Sequence, residues 1–88
     1  MTIIAIVKTL QAGYDLQKKR MEDLGFKVGD RIEVRDILVH SSSTDIYLEG
    51  YEGSFNSVFF EFEENGKEFE PLADRRFNSY LSMYDDYD

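Results

Sequence analysis

Apolar and polar residues alternate with two periods along this chain, and each change of period marks an element. Ile3-Ile4-Ala5-Ile6-Val7 is a β-branched run ending at Lys8-Thr9. A short apolar run of this kind reads as a buried strand, here over residues 2–8. A rival reading joins residues 2–24 into one long helix, because Ile3, Val7, Leu10, Tyr14, Gln17, Met21 and Leu24 fall at heptad spacing. Gln17 interrupts that stripe, Gly13 weakens a helix by about 1 kcal/mol, and Ile4 and Ile6 fall off it. Strand followed by helix is the favoured reading. Residues 14–24 are helical on both: Tyr14, Met21 and Leu24 lie near one face, Leu16 flanks it, and Lys18-Lys19-Arg20 crowd the solvent side. Gly25 suits the left-handed position just past the helix, and Phe26 can fold back onto its last turn.

From residue 27 the period is two. Lys27-Val28-Gly29-Asp30 is a turn that launches a strand in which Ile32 and Val34 alternate with Arg31, Glu33 and Arg35. Asp36 would point inward if that phase continued, and Ile37-Leu38-Val39 restores apolarity, so a bulge or bend near Arg35-Asp36 is expected. A polar loop, 41–45, leads to a strand with Ile46 and Leu48 inside and Tyr47 and Glu49 outside. Residues 50–57 read as a connection. Val58, Phe60 and Phe62 then face one side, with Phe59, Glu61 and Glu63 on the other. Asn65-Gly66 predicts a type I′ hairpin joining Phe62-Glu63-Glu64 to Lys67-Glu68-Phe69. Residues 72–80 hold a short helical turn, and 83–88 form a frayed tail. The pattern β-α-β-β-β-β, with Phe60, Phe62, Ile32, Val34, Ile46 and Leu48 as its core, predicts an α+β fold. The natural solution is a small SH3-like antiparallel barrel over residues 1–82, one helix inserted after its first strand.

Composition adds a bias to this frame. The chain has 88 residues and a formal charge of −8, which bounds it to one domain. Residues 1–40 carry seven Lys/Arg and six Asp/Glu, whereas residues 41–88 carry three and twelve. Eleven of the thirteen aromatics also follow residue 40. An acidic, aromatic-rich half reads as a binding surface for something basic. The basic triplet of the helix reads as a solvated face, since a strongly acidic chain repels phosphate, and no direct nucleic-acid contact is expected. With no Cys there is neither a disulfide framework nor thiol chemistry. The opening apolar run is too short for a membrane span and has no basic segment before it. A reducing, cytoplasmic setting is the expectation.

Two resemblances enter. Residues 13–34, including the basic helix, Leu24-Gly25-Phe26 and Val28-Gly29-Asp30, resemble the helix-to-strand segment of FeoA-like domains. That likeness implies an SH3-like barrel and an accessory role beside a ferrous-iron transporter, although no Gly-Asp-Pro motif follows. Residues 45–51, 55–62 and 76–81 resemble a group of short proteins of phages and prophages of Gram-positive bacteria. That likeness implies an intracellular accessory protein and carries no family-wide activity.

Candidate chemistry is sparse. His40 is the single His and cannot make a zinc site alone; Asp36 and Asp45 are its nearest companions in sequence. Ser41-Ser42-Ser43 lacks a nucleophile motif and reads as turn chemistry. Asp85, Asp86 and Asp88 lack the Gly and terminal Glu of a calcium loop. Phe55-Asn56-Ser57 and Phe77-Asn78-Ser79 read as Asn or Ser turns after core aromatics. No catalytic residue, cofactor or metal is expected. The reading is a phage-type accessory protein that binds a host protein with a basic surface. The surface is Tyr47, Glu49, Phe59, Glu61 and Glu63, together with the tail residues Tyr84, Asp85, Asp86 and Tyr87; the competing reading of Phe59 is a core residue buried under the N-terminal helix. Its sharper form is inhibition of a nuclease or CRISPR effector; the alternatives are a non-inhibitory interaction module and the FeoA-like role.

Overall fold

The β-branched run Ile3–Val7 is strand β1, and it lies at the centre of the sheet. A computed structural model describes residues 2–40, 43–74 and 76–78. Helix α1 (Asp15–Asp23) follows, then β2 (Arg31–Val39), β3 (Thr44–Leu48), β4 (Ser54–Asn56), β5 (Phe60–Glu64) and β6 (Lys67–Phe69). Short 3-10 turns occupy Ser57–Phe59 and Pro71–Ala73, the second overlapping the start of the expected region 72–80 and beginning one residue before it. All pairings are antiparallel and the strand order is β4-β3-β2-β1-β5-β6.

The SH3-like barrel expected from the sequence is not what forms. Among the described residues β4 pairs only with β3 and β6 only with β5, so the sheet has two edges and stays open. Closure would need those two outer strands to meet. They stand at opposite ends of the strand order, with β1 and its two partners, β2 and β5, between them. β4 itself falls inside residues 50–57, which the sequence pattern assigned to a connection.

The registers sort the side chains into two faces. Ala5, Ile32, Phe62 and Phe69 lie across one row, and Ile37, Ile46 and Phe55 across another. On that inner face Ala5, Val7, Ile37, Ile46, Leu48, Phe55, Phe60 and Phe62 are buried, with Ile32 and Val34 partly buried against them. Aromatic contacts run through this layer from Phe26 to Phe55, Phe60, Phe62, Phe69 and Phe77, with ring centroids 5.7–6.4 Å apart. Such tilted and edge-to-face pairs are the favoured aromatic geometries. The expected bulge is present: between Val34↔Leu48 and Asp36↔Tyr47 the register shifts by one, which keeps Asp36 exposed and returns Ile37 to the core. Asn65 (φ 54°) and Gly66 (φ 81°) both take the positive φ of a type I′ turn, and the register Phe62↔Phe69 is the predicted one.

The long-helix alternative for residues 2–24 is excluded by β1 and by Gly13, whose φ of 74° breaks any continuous helix. Gln17 then accepts the Tyr14 N–H through Oε1 at 3.0 Å, one half of a capping box. At the other end the Phe26 and Gly25 N–H groups return to the Met21 and Glu22 carbonyls, which makes a Schellman stop. Nine residues are too few for a self-sufficient helix. Met21 is its one buried residue, while Tyr14 and Leu16 are exposed. Arg20 does not join Lys19 on the solvent side. Its guanidinium lies 4.1 Å over the Phe55 ring and donates to the Ser54 and Glu52 carbonyls.

Candidate protein-binding face

The same registers place a second set of side chains on the face opposite the core. Ile6 stands between Arg31 and Glu61, and Ile4 between Glu33 and Glu63. Glu68 is opposite Glu63, and Tyr47 is opposite Asp36. Glu49 continues the row, its N–H donating to the Glu33 carbonyl at 2.9 Å. Alternation alone therefore delivers a band of carboxylates around a half-buried stripe of Ile4, Ile6 and Tyr47.

Part of that charge is spent internally. Arg31 grips Glu63 with both terminal nitrogens, Nη2 to Oε1 at 2.8 Å and Nη1 to Oε2 at 3.2 Å. These hydrogen bonds hold the Glu63 carboxyl below the usual glutamate range, against a smaller opposing effect of desolvation. Arg35 lies 5.8 Å from the Tyr47 ring centroid. Glu33, Glu49, Glu61 and Glu68 are exposed and have no ion pair among the described residues. A shallow depression of about 170 Å³ is lined by Ile6, Glu61, Glu63 and Glu68. Its apolar floor and carboxylate rim match the stem and head of a Lys or Arg side chain.

Of the residues expected on the binding surface, Tyr47, Glu49, Glu61 and Glu63 share this face. Phe59 does not: it is 1 % exposed and belongs to the core. The strand alternation assumed for residues 58–63 begins only at Phe60. Ser57–Phe59 is a 3-10 turn, started by the Asn56 side chain accepting the Val58 N–H at 3.1 Å. Three residues per turn replace the two of a strand, so Phe59 and Phe60 both turn inward and Val58 turns out. Tyr84, Asp85, Asp86 and Tyr87, with the expected frayed tail, lie outside the described residues. Sequence reading missed Ile4, Ile6, Glu33 and Glu68. Their alternation with core residues was visible, but only strand pairing brings them beside Glu61.

The other candidates take structural parts. His40 Nε2 is 2.9 Å from Asp45 Oδ2 at the β2–β3 end. No cluster of three or more His, Cys, Asp or Glu able to hold a metal occurs among the described residues. Asn78 Nδ2 donates to the Leu72 carbonyl at 2.8 Å. Among the described residues no helix is long and apolar enough to cross a membrane.

These features define an α+β protein whose single open sheet carries its helix and core on one side and an acidic face on the other. The family model described as Bacteriophage T4 protein Y07B matches residues 2–81, and the chain belongs to that family. This bears out the phage resemblance at the level of a phage protein family; the FeoA-like resemblance is not shown. No curated protein and no solved structure matches the chain.

Proposed function

We propose that this phage-family protein binds a host protein bearing a basic surface through the helix-free face of its sheet. In its sharper form, the contact inhibits a host or defence enzyme that handles nucleic acid, such as a nuclease or CRISPR effector. The carrying observation is the set of carboxylates Glu33, Glu49, Glu61 and Glu68, exposed and without ion pairs among the described residues, around Ile4, Ile6 and Tyr47. Carboxylates on a rigid strand pair need little ordering when a partner arrives, so the field they make is available at once for steering. A surface that repels phosphate while attracting Lys and Arg competes for the groove in which a nucleic-acid enzyme holds its substrate.

The test starts from capture of host proteins on the tagged full chain, followed by binding kinetics on the purified partner. Glu61→Gln with Glu68→Gln should lower the association rate several-fold and flatten its salt dependence while the melting temperature holds. Unchanged kinetics at low salt would rule out this face. Binding without any loss of the partner's enzymatic activity would leave the interaction and remove the inhibition.

A further inference from the structure

The outer edge of β4 offers a second surface, separate from the acidic face. Main-chain direction along β3 can be followed from two bonds: the His40 N–H donates to the Ser43 carbonyl and the Glu49 N–H to the Glu33 carbonyl. Residues 43, 45, 47 and 49 therefore turn their main-chain groups to β2, and Ile46 turns its own to β4. Ile46 pairs with Phe55, so Phe55 faces β3 while Ser54 and Asn56 direct their N–H and C=O outward.

That edge is not bare in the free chain. Arg20 rests its guanidinium on Phe55 and donates to the carbonyls of Ser54 and Glu52. A donor fork parked on an edge is one way to keep it from pairing indiscriminately. It also marks where the N–H groups of an added strand would sit. Beside the edge lies a cavity of about 340 Å³, lined by Gln17, Arg20 and Met21 of α1 and by Ser54, Phe55 and Asn56 of β4. The opposite edge differs. Glu68 is the residue of β6 that turns outward, between Lys67 and Phe69, and Pro71 follows three residues after it.

We propose that the cleft between α1 and β4 receives an extended, Lys- or Arg-bearing segment of a partner protein, which adds to β4 as a seventh strand. The segment exchanges main-chain hydrogen bonds with Ser54 and Asn56, displaces the Arg20 fork and sends one apolar side chain into the cavity. Strand addition with a side-chain slot beside it is an established mode of peptide recognition. Charge selects the occupant. A second copy would bring another −8, which opposes self-pairing, whereas a basic segment is drawn in.

The backbone supplies a direct test. Asn56 has φ −74°, which proline adopts without strain, so Asn56→Pro removes the outward N–H alone from the main chain. It also removes the side-chain cap on Val58, a loss that Asn56→Ala reproduces with the N–H retained. A displayed library of random nine-residue peptides is selected on the full chain. Peptides rich in Lys or Arg should emerge, bind parent and Asn56→Ala alike, and bind Asn56→Pro about tenfold more weakly. Their addition to the parent chain should slow amide exchange at Ser54 and Asn56, a readout that stands even if Asn56→Pro fails to fold. Recovery of no peptide, equal binding to Asn56→Pro and Asn56→Ala, or unaltered exchange at both amides overturns the proposal. So does self-association of the chain through this edge, broken by Asn56→Pro, which would make a second copy the occupant.

Discussion

Truncating Phe59 and its neighbour Val58 separates the 3-10 turn from the strand that simple alternation implies. Phe59 is 1 % exposed and the largest of the fully buried side chains, whereas Val58 is 41 % exposed. Phe59→Ala removes a whole ring from a packed interior, at a cost of about 3–5 kcal/mol. Val58→Ala removes two methyl groups that are already partly in water, about 1 kcal/mol or less. A domain of 88 residues has about 4–13 kcal/mol of stability in total. The first change therefore consumes a large share of it and the second little. With roughly 4–8 °C per kcal/mol at this size, Phe59→Ala should lower the melting temperature by about 12–40 °C and Val58→Ala by under about 8 °C. Urea titration followed by far-ultraviolet circular dichroism measures both, provided the slope with denaturant is unchanged. Had the strand run straight through residues 58–63, Val58 would be the core residue and the order of the two losses would reverse. A Val58→Ala protein less stable than Phe59→Ala refutes the turn and restores Phe59 to the surface.

Acid should weaken the fold through its arginine-held carboxyls. Arg31 holds Glu63 below the ordinary glutamate range, and Arg76 does the same for Glu64 and Asp74, in each case chiefly by side-chain hydrogen bonds. These groups bind fewer protons folded than unfolded at mildly acid pH. Their contribution is complete above the unfolded carboxyl values near 4 and is lost as pH falls through the lower folded ones. Carboxyl-detected NMR should give Glu63 a midpoint below the ordinary glutamate range that moves up in Arg31→Gln; a midpoint within or above that range contradicts the pairing. Duplex DNA should not be retarded by the chain at physiological salt, because Arg20 is engaged on β4 and the net field is repulsive. A salt-sensitive gel shift lost on Lys18→Gln with Lys19→Gln would reverse that expectation. Changing Gly66 to Ala puts a new Cβ into positive φ, whereas Asn65→Ala only replaces a residue that tolerates that region with one that tolerates it less; the loss should be larger at Gly66 than at Asn65, as the separate single substitutions would measure by thermal melting.

Local patterning settled the elements wherever one physical rule acted alone. The β-branched run made β1, Gly25 and Phe26 made the helix stop, Asn65-Gly66 made the hairpin, and the polar residue at 36 announced the bulge. Each of these depends on backbone preferences or on a period of two, which neighbouring residues carry by themselves. The tertiary structure decided the rest. Residues 54–56 became a strand because β3 offered them a ladder, not because a three-residue run of one aromatic between Ser and Asn specifies one by itself. Phe59 went inward because a side chain of Asn56 started a turn that reset the phase. Arg20 left the basic face because Phe55 and two edge carbonyls lay within its reach. Whether the sheet closes was also beyond local pattern, since barrel and open sheet share the same alternation and differ only in whether β4 and β6 meet. The acidic face follows from the same cause: its carboxylates are scattered from Glu33 to Glu68 along the chain, and only the central placement of β1 gathers them on one surface.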